Sequence, residues 1–132
     1  MSRLARVSTL ALAAFLVSCG SHTPTGPQPG TLQVKLQDPN GGADGAILLT
    51  LSGPTTVTNV VAAAGDTLWT TDFSATVSHV LLTGHIGSGT VLRFDVPDVG
   101  QVQQYIVSVN QAAASSGYAL RSLASYVAFV SR

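Results

Sequence analysis

The sequence predicts an all-β protein, a single antiparallel β-sandwich of about seven to nine short strands behind a signal peptide and a flexible tether. Three observations predict it. Apolar residues alternate with polar ones at period two from Thr31 onward. Turn-forming clusters of Gly, Pro, Asn and Asp interrupt that alternation at roughly 8–12-residue spacing. Finally, glutamate is absent and every acid is an aspartate (Asp38, Asp44, Asp66, Asp72, Asp95 and Asp98). Aspartate favours turns over helix interiors because its short side chain bonds to nearby backbone.

The strands can be taken in chain order. "TLQVKLQ" sets Leu32, Val34 and Leu36 on one face against Gln33, Lys35 and Gln37 on the other. "DPNGGADG" (38–45) breaks it with turn chemistry at nearly every position, and "AILLTLSG" (46–53) reads as a more fully buried strand ended by Gly53-Pro54. "TVTNVVAA" and "TLWTT" are shorter strands across the turn "AGD". "TVSHVLLT" (76–83) alternates Val77, His79 and Leu81 against Ser78, Val80 and Leu82, which places His79 at the core edge or on a strand face. "GHIGSG" turns the chain into "TVLRFDVP" (90–97), with Leu92, Phe94 and Val96 facing in. "QYIVSVN" groups Tyr105, Val107 and Val109, and "YVAFV" closes the fold. Residues 111–125 fit either a helical turn or a further strand, broken at Gly117. The expected core is Leu32, Val34, Leu36, Ile47, Leu49, Leu51, Leu92, Phe94, Val96, Val107, Val109 and Phe129. Each such side chain stabilises by roughly 1.5–3 kcal/mol before entropy is subtracted.

The first thirty residues have a different logic. Arg3 and Arg6 form a positive n-region, and "VSTLALAAFLV" is an apolar stretch of eleven residues. That falls short of the roughly 20 a membrane-spanning helix needs and suits the core of a signal peptide. The stretch ends at Leu16-Val17-Ser18-Cys19, and Cys19 is the chain's single cysteine. These four residues resemble the lipobox of bacterial lipoproteins. The resemblance implies cleavage before Cys19, a diacylglycerol on its thiol and an acyl chain on its new amino group. A lone cysteine in an exported chain then needs no disulfide partner. Residues 1–18 are accordingly the signal peptide, 19–30 the lipidated cysteine with its tether, and 31–132 the domain. "GSHTPTGPQPG" (20–30) has three prolines and no large apolar side chain, too little to offset its ordering entropy. His22 is read as a solvated residue of that tether. The implied address is the cell membrane or the outer membrane, with the domain exposed to periplasm or cell exterior. In such lipoproteins an aspartate after the cysteine tends to hold the protein at the inner membrane, so Gly20 permits export to the outer one.

After Cys19 only Lys35, Arg93, Arg121 and Arg132 stand against six aspartates. This mildly acidic balance excludes nucleic acid as a partner class, which needs clustered Lys and Arg on phosphates. No catalytic set assembles: glutamate and a G-x-S-x-G elbow are absent, and His79 and His85 sit on a strand and in a glycine-rich turn. The expectation is a protein that is not an enzyme and takes no cofactor beyond its acyl chains. Asp38, Asn40 and Asp44 supply oxygen ligands of the kind calcium takes. Gly42 stands where the EF-hand loop has its third ligand and no glutamate follows, so a turn is the expected reading and no metal is assigned. Among Trp69, Tyr105, Tyr118 and Tyr126, Trp69 in its Thr-rich strand is the candidate for an exposed ligand contact.

The order of "DGAILLTLSG", "VTNVVAAAGD", "GSGTVLRFDVP" and "YIVSVNQAAA" resembles the cohesin-like and carbohydrate-binding-module-like sandwiches of bacterial surface proteins. The resemblance implies a jelly-roll-like fold and a non-catalytic binding or assembly role. It carries over no partner-contacting residue, because Ser52-Gly53-Pro54 stands where cohesins have an aromatic-rich turn. Three partner readings are open: an envelope or extracellular protein, a cell-surface or extracellular polysaccharide contacted by Trp69, or a structural envelope role with no discrete ligand.

Overall fold

The computed structural model describes residues 26–74 and 76–132. The lipobox Leu16-Val17-Ser18-Cys19, Gly20 and His22 lie outside the described residues.

Among the described residues eight strands form two four-stranded antiparallel sheets: β1 (Gly30–Gln37), β2 (Asp44–Ser52), β3 (Thr58–Ala62), β4 (Thr67–Ser74), β5 (Val77–Ile86), β6 (Gly89–Val96), β7 (Ile106–Ala114) and β8 (Val127–Ser131). Sheet A has the order β3-β6-β1-β8 and sheet B the order β4-β5-β2-β7. The pairs β1–β8, β2–β7, β3–β6 and β4–β5 nest like one long hairpin rolled over on itself, which is the jelly-roll-like arrangement expected. The pairs β1–β6 and β2–β5 complete the two layers. A short 3-10 helix, Val99–Gln104, joins β6 to β7, and the Asp98 carboxylate caps it by accepting from the Gly100 N–H at 2.9 Å.

The core lies between the sheets and follows the period-two pattern. Leu32, Val34 and Leu36 of β1 meet Ile47, Leu49 and Leu51 of β2, with Leu92, Phe94 and Val96 of β6 filling the centre. All nine are buried. Val109 packs against this cluster but is only half-buried.

Two expectations are corrected, those for Phe129 and for the turn before β6, and three others are sharpened. Phe129 is on the outer face, 42% exposed, while Ala128 and Val130 turn inward and Tyr126 fills the core position just before β8. In β5 the inward set is Ser78, Val80 and Leu82, so of the two readings of His79 the strand-face one holds. The strand also runs on through Gly84 and His85 to a buried Ile86, which narrows the turn before β6 to Gly87 and Ser88. Gly84 sits at φ +138, and its missing Cβ leaves room for Asp66, whose carboxylate accepts from the His85 N–H at 2.9 Å. β2 is more fully buried than β1, as expected, with buried and half-buried residues alternating and none exposed. Last, residues 111–114 extend β7, and the chain beyond folds back on that strand through an Ala113–Leu120 bridge.

The register also orients the domain. Gly30 of β1, Ser52 of β2 and Val96 of β6 mark the end at which residues 26–29 lead into β1. The loops 38–43, 63–66, 87–88 and 115–126 gather at the opposite end.

Candidate functional site

Two groups of residues stand out, one on the outer face of sheet B and one at the end remote from Gly30, where the 38–43 and 115–126 loops gather.

On sheet B, the residues of β2 and β5 that alternate away from the core form rows across the strands. One row runs Trp69, Leu81, Leu48, Gln111 across β4, β5, β2 and β7. A second row on the same face runs Val77, Ser52, Ile106. Trp69 is 56% exposed, as its Thr-rich strand predicts, and its Nε1–H donates to Thr83 Oγ1 at 3.1 Å. That bond fixes the indole without hiding it. Val77 and Ile106 are exposed in the second row, and Leu48 and Leu81 are half-buried in the row of Trp69. His79 and Thr50 lie in the row between, with His79 Nδ1 3.2 Å from Thr50 Oγ1. The face carries an apolar strip of Trp69, Leu81 and Leu48 beside a polar row whose register pairs Asp72, His79, Thr50 and Ser108.

The three tyrosine candidates do not join it. Tyr105 is buried against Phe94, ring centroids 5.8 Å apart, with its hydroxyl 2.8 Å from Thr55 Oγ1. Tyr126 is buried as well, and Tyr118 is exposed in the loop between β7 and β8. None of the three therefore extends an aromatic platform around Trp69.

At the remote end, Asp38, Asn40 and Asp44 do come together, through the chain's own hydrogen bonds. Asp38 builds the turn: Oδ1 accepts from the Asn40 N–H and Oδ2 from the Gly42 N–H, both at 2.8 Å. Gly41 and Gly42 carry the positive φ values (63 and 85) that this turn requires. Asp44 opens β2 and is fully buried. Its carboxylate accepts from the Tyr126 hydroxyl and from Arg121 Nε at 3.0 Å, with the Asn40 amide 3.4 Å from Oδ2. The same Asn40 amide donates to Tyr126 Oη at 2.7 Å. Arg121 also reaches the Ala43 carbonyl through Nη2 at 3.3 Å. Among the described residues no group of three or more His, Cys, Asp or Glu side chains is arranged to hold a metal ion.

The electrostatics follow from this geometry. Burial pushes the Asp44 carboxyl up, but the bonds from Tyr126, Arg121 and Asn40 outweigh it and hold the group below its ordinary value. Tyr126 is pushed up to about 12 by burial and by the hydrogen bond to the Asp44 carboxylate. Charged Asp44 and neutral Tyr126 are thus the paired states, and Arg121 balances the buried charge. The cluster holds the 38–43 and 115–126 loops together; it places no nucleophile or base at an open surface.

Sequence reasoning missed Tyr126 and Arg121 as partners of Asp44. The available signal was an aspartate opening a strongly apolar strand, because a carboxylate there must be paired. Its partners lie 77 and 82 residues away, beyond what local pattern can show.

Together these features define an antiparallel two-sheet sandwich with an apolar strip on one outer face and a hydrogen-bonded clasp at one end. No protein-family model, curated protein or solved structure matches the chain.

Proposed function

We propose that the chain is a lipid-anchored lipoprotein of the cell envelope that presents a non-catalytic sandwich as a protein-binding module, comparable in role to a cohesin. The observation that carries the binding reading is the outer face of sheet B, where Trp69 is exposed beside half-buried Leu81 and Leu48, with Val77 and Ile106 exposed in a second row. A solvated sheet face ordinarily carries polar side chains at these positions, and aromatic residues held rigid at low entropic cost are the anchors of protein interfaces. The anchor reading is supported by the n-region, the apolar core and Leu16-Val17-Ser18-Cys19. Two or three acyl chains bind a membrane stably where one does so marginally. The entry of β1 from the tether side would then turn the Asp44 end away from the lipid.

A second reading, binding to polysaccharide, draws on Trp69 alone, since sugar rings stack on exposed indoles. The test is cross-linking mass spectrometry on the native membrane-bound protein, beside a Trp69→Ala variant. One saturable envelope-protein partner that is lost in the variant supports the module. Co-purifying polysaccharide with no protein partner replaces it with the sugar reading. Retention of a Cys19→Ser chain in the membrane would overturn the anchor.

A further inference from the structure

We propose that the outer edge of β8 is a self-association site, and that its occupant is the β8 strand of a second copy of this chain, paired antiparallel about Phe129. An unpaired strand edge is a template for another strand, and natural sheets blunt such edges with bulges, charges, prolines or covering loops. Three of the four edges here are blunted. β3 pairs irregularly between Thr58 and Val61 and holds Asn59 at φ +49. β4 carries a bulge between Thr70 and Asp72, and its sequence includes a charge. The pairing of β7 with β2 shifts opposite Leu48 and Leu49, and its far end is covered by the chain that leaves it. There Arg121 N–H donates to Ala112 O and Ala114 N–H to Ala119 O.

Among the described residues β8 itself has no bulge, proline or charge, and only at its Ser131 end does Arg132 Nε reach the Val99 carbonyl of the 3-10 helix. The register of β8 with β1 runs without a shift from Gln33–Ser131 to Gln37–Val127. The strand reads VAFVS, with no charge, proline or glycine. Its outward side chains Val127 and Phe129 are 48% and 42% exposed.

A second β8 satisfies this edge better than a generic strand. Antiparallel pairing about Phe129 sets Phe129 against its own copy, Val127 against Ser131 and Ala128 against Val130, so no charge meets its like. The two Lys35 side chains, each beside Phe129 in β1, would stand about 14 Å apart across three strand spacings, beyond the screening length. Beside the edge, an apolar groove of about 290 Å³ runs between β7 and β8, walled by Val102, Tyr105, Val107, Ala128 and Val130. An added strand continues sheet A over this groove, and its Ala128 and Val130 face into it. Five residues bury less than a stable dimer needs, so association is weak and concentration-dependent. The proposal uses the folded domain alone and is independent of the lipid anchor and of the sheet B face.

The test uses the full chain with Cys19→Ser in mild detergent, carrying either Phe129→Cys or Val127→Cys, under oxidising conditions at micromolar to millimolar protein. The expected result is a disulfide-linked dimer from Phe129→Cys and little from Val127→Cys, because only residue 129 faces its own copy. Adding Phe129→Lys to the Cys19→Ser chain should return a sedimenting dimer to monomer with its fold intact. A monomer at every concentration, equal cross-linking from both positions, or a monomer that takes up a different extended peptide instead would overturn the proposal.

Discussion

The Tyr126 hydroxyl donates a hydrogen bond to Asp44, fastening the residue that precedes β8 to the residue that opens β2. Neither β1–β2 nor β7–β8 is a simple hairpin, since each pair of consecutive strands lies in different sheets. Chain that passes between layers cannot satisfy its polar groups from a ladder. Asp44 ties the two loops together through the Asn40, Arg121 and Tyr126 side chains, and Arg121 supplies the positive charge that makes burial of the carboxylate tolerable.

Removing the hydroxyl should expose this dependence. Tyr126→Phe keeps the ring in the core and takes away one donor from a fully buried carboxylate. The expected loss is about 1–3 kcal/mol, the range for a buried group left short of a partner. Urea unfolding would read it as a lower midpoint at unchanged slope. An unaltered midpoint would mean that Arg121 and Asn40 satisfy Asp44 unaided.

The same pair sets a stability window in pH. Asp44 is held below its ordinary 3.8, so the stability it contributes is complete above that value and is lost as pH falls through the folded-state pKa. Tyr126 is raised from 10.0 to about 12, so its contribution is complete below pH 10 and is lost as pH rises from 10 through 12. Thermal unfolding across pH should therefore show an alkaline decline in the parent that is reduced in Tyr126→Phe. Equal declines in both proteins would separate the alkaline loss from this tyrosine.

Gly53 succeeds β2 where the chain crosses to the other sheet, and a Cβ there would run into the Tyr105 ring. That ring packs on Phe94 and holds Thr55 by its hydroxyl, so it has little freedom to move aside. Gly53→Ala should destabilise by roughly 1–3 kcal/mol through overpacking. Loss of near-ultraviolet tyrosine ellipticity at equal far-ultraviolet signal would locate the strain at Tyr105. A variant as stable as the parent would show that the ring can yield.

Phe94 and Phe129 mark how far the sequence could be read. Around Phe94, Leu92 and Val96 alternate with Arg93 and Asp95, and the two charges fix which face is inward. The same cue phases β1, where Lys35 lies between Val34 and Leu36. In "YVAFV" no polar residue separates the faces, and apolar mass favours the wrong one. The phase is settled by the register with β1, which sets Ala128 beside Leu36 and Val130 beside Val34. For β5 the cue leaves the phase open, because a polar residue, Ser78 or His79, stands on each face; Ser78 is the inward one. Trp69 could be assigned to the surface from its threonine neighbours. The row that joins it to Leu81 and Leu48 could not, since it depends on pairings among three strands.

Trp69 and Phe94 should therefore respond oppositely to truncation. Phe94 is fully buried at the centre of the sandwich, and Phe94→Ala should cost about 3–5 kcal/mol through lost burial and the cavity left behind. Trp69→Ala removes a ring already 56% exposed and one hydrogen bond to Thr83, so its effect on stability should stay within about 1 kcal/mol. Chemical denaturation of the two variants beside the parent would measure both. Partner capture by Trp69→Ala at the same protein level then separates a surface kept for binding from one that only supports the sheet. A large destabilisation by Trp69→Ala would assign the indole to folding and leave the outer face of sheet B without its anchor.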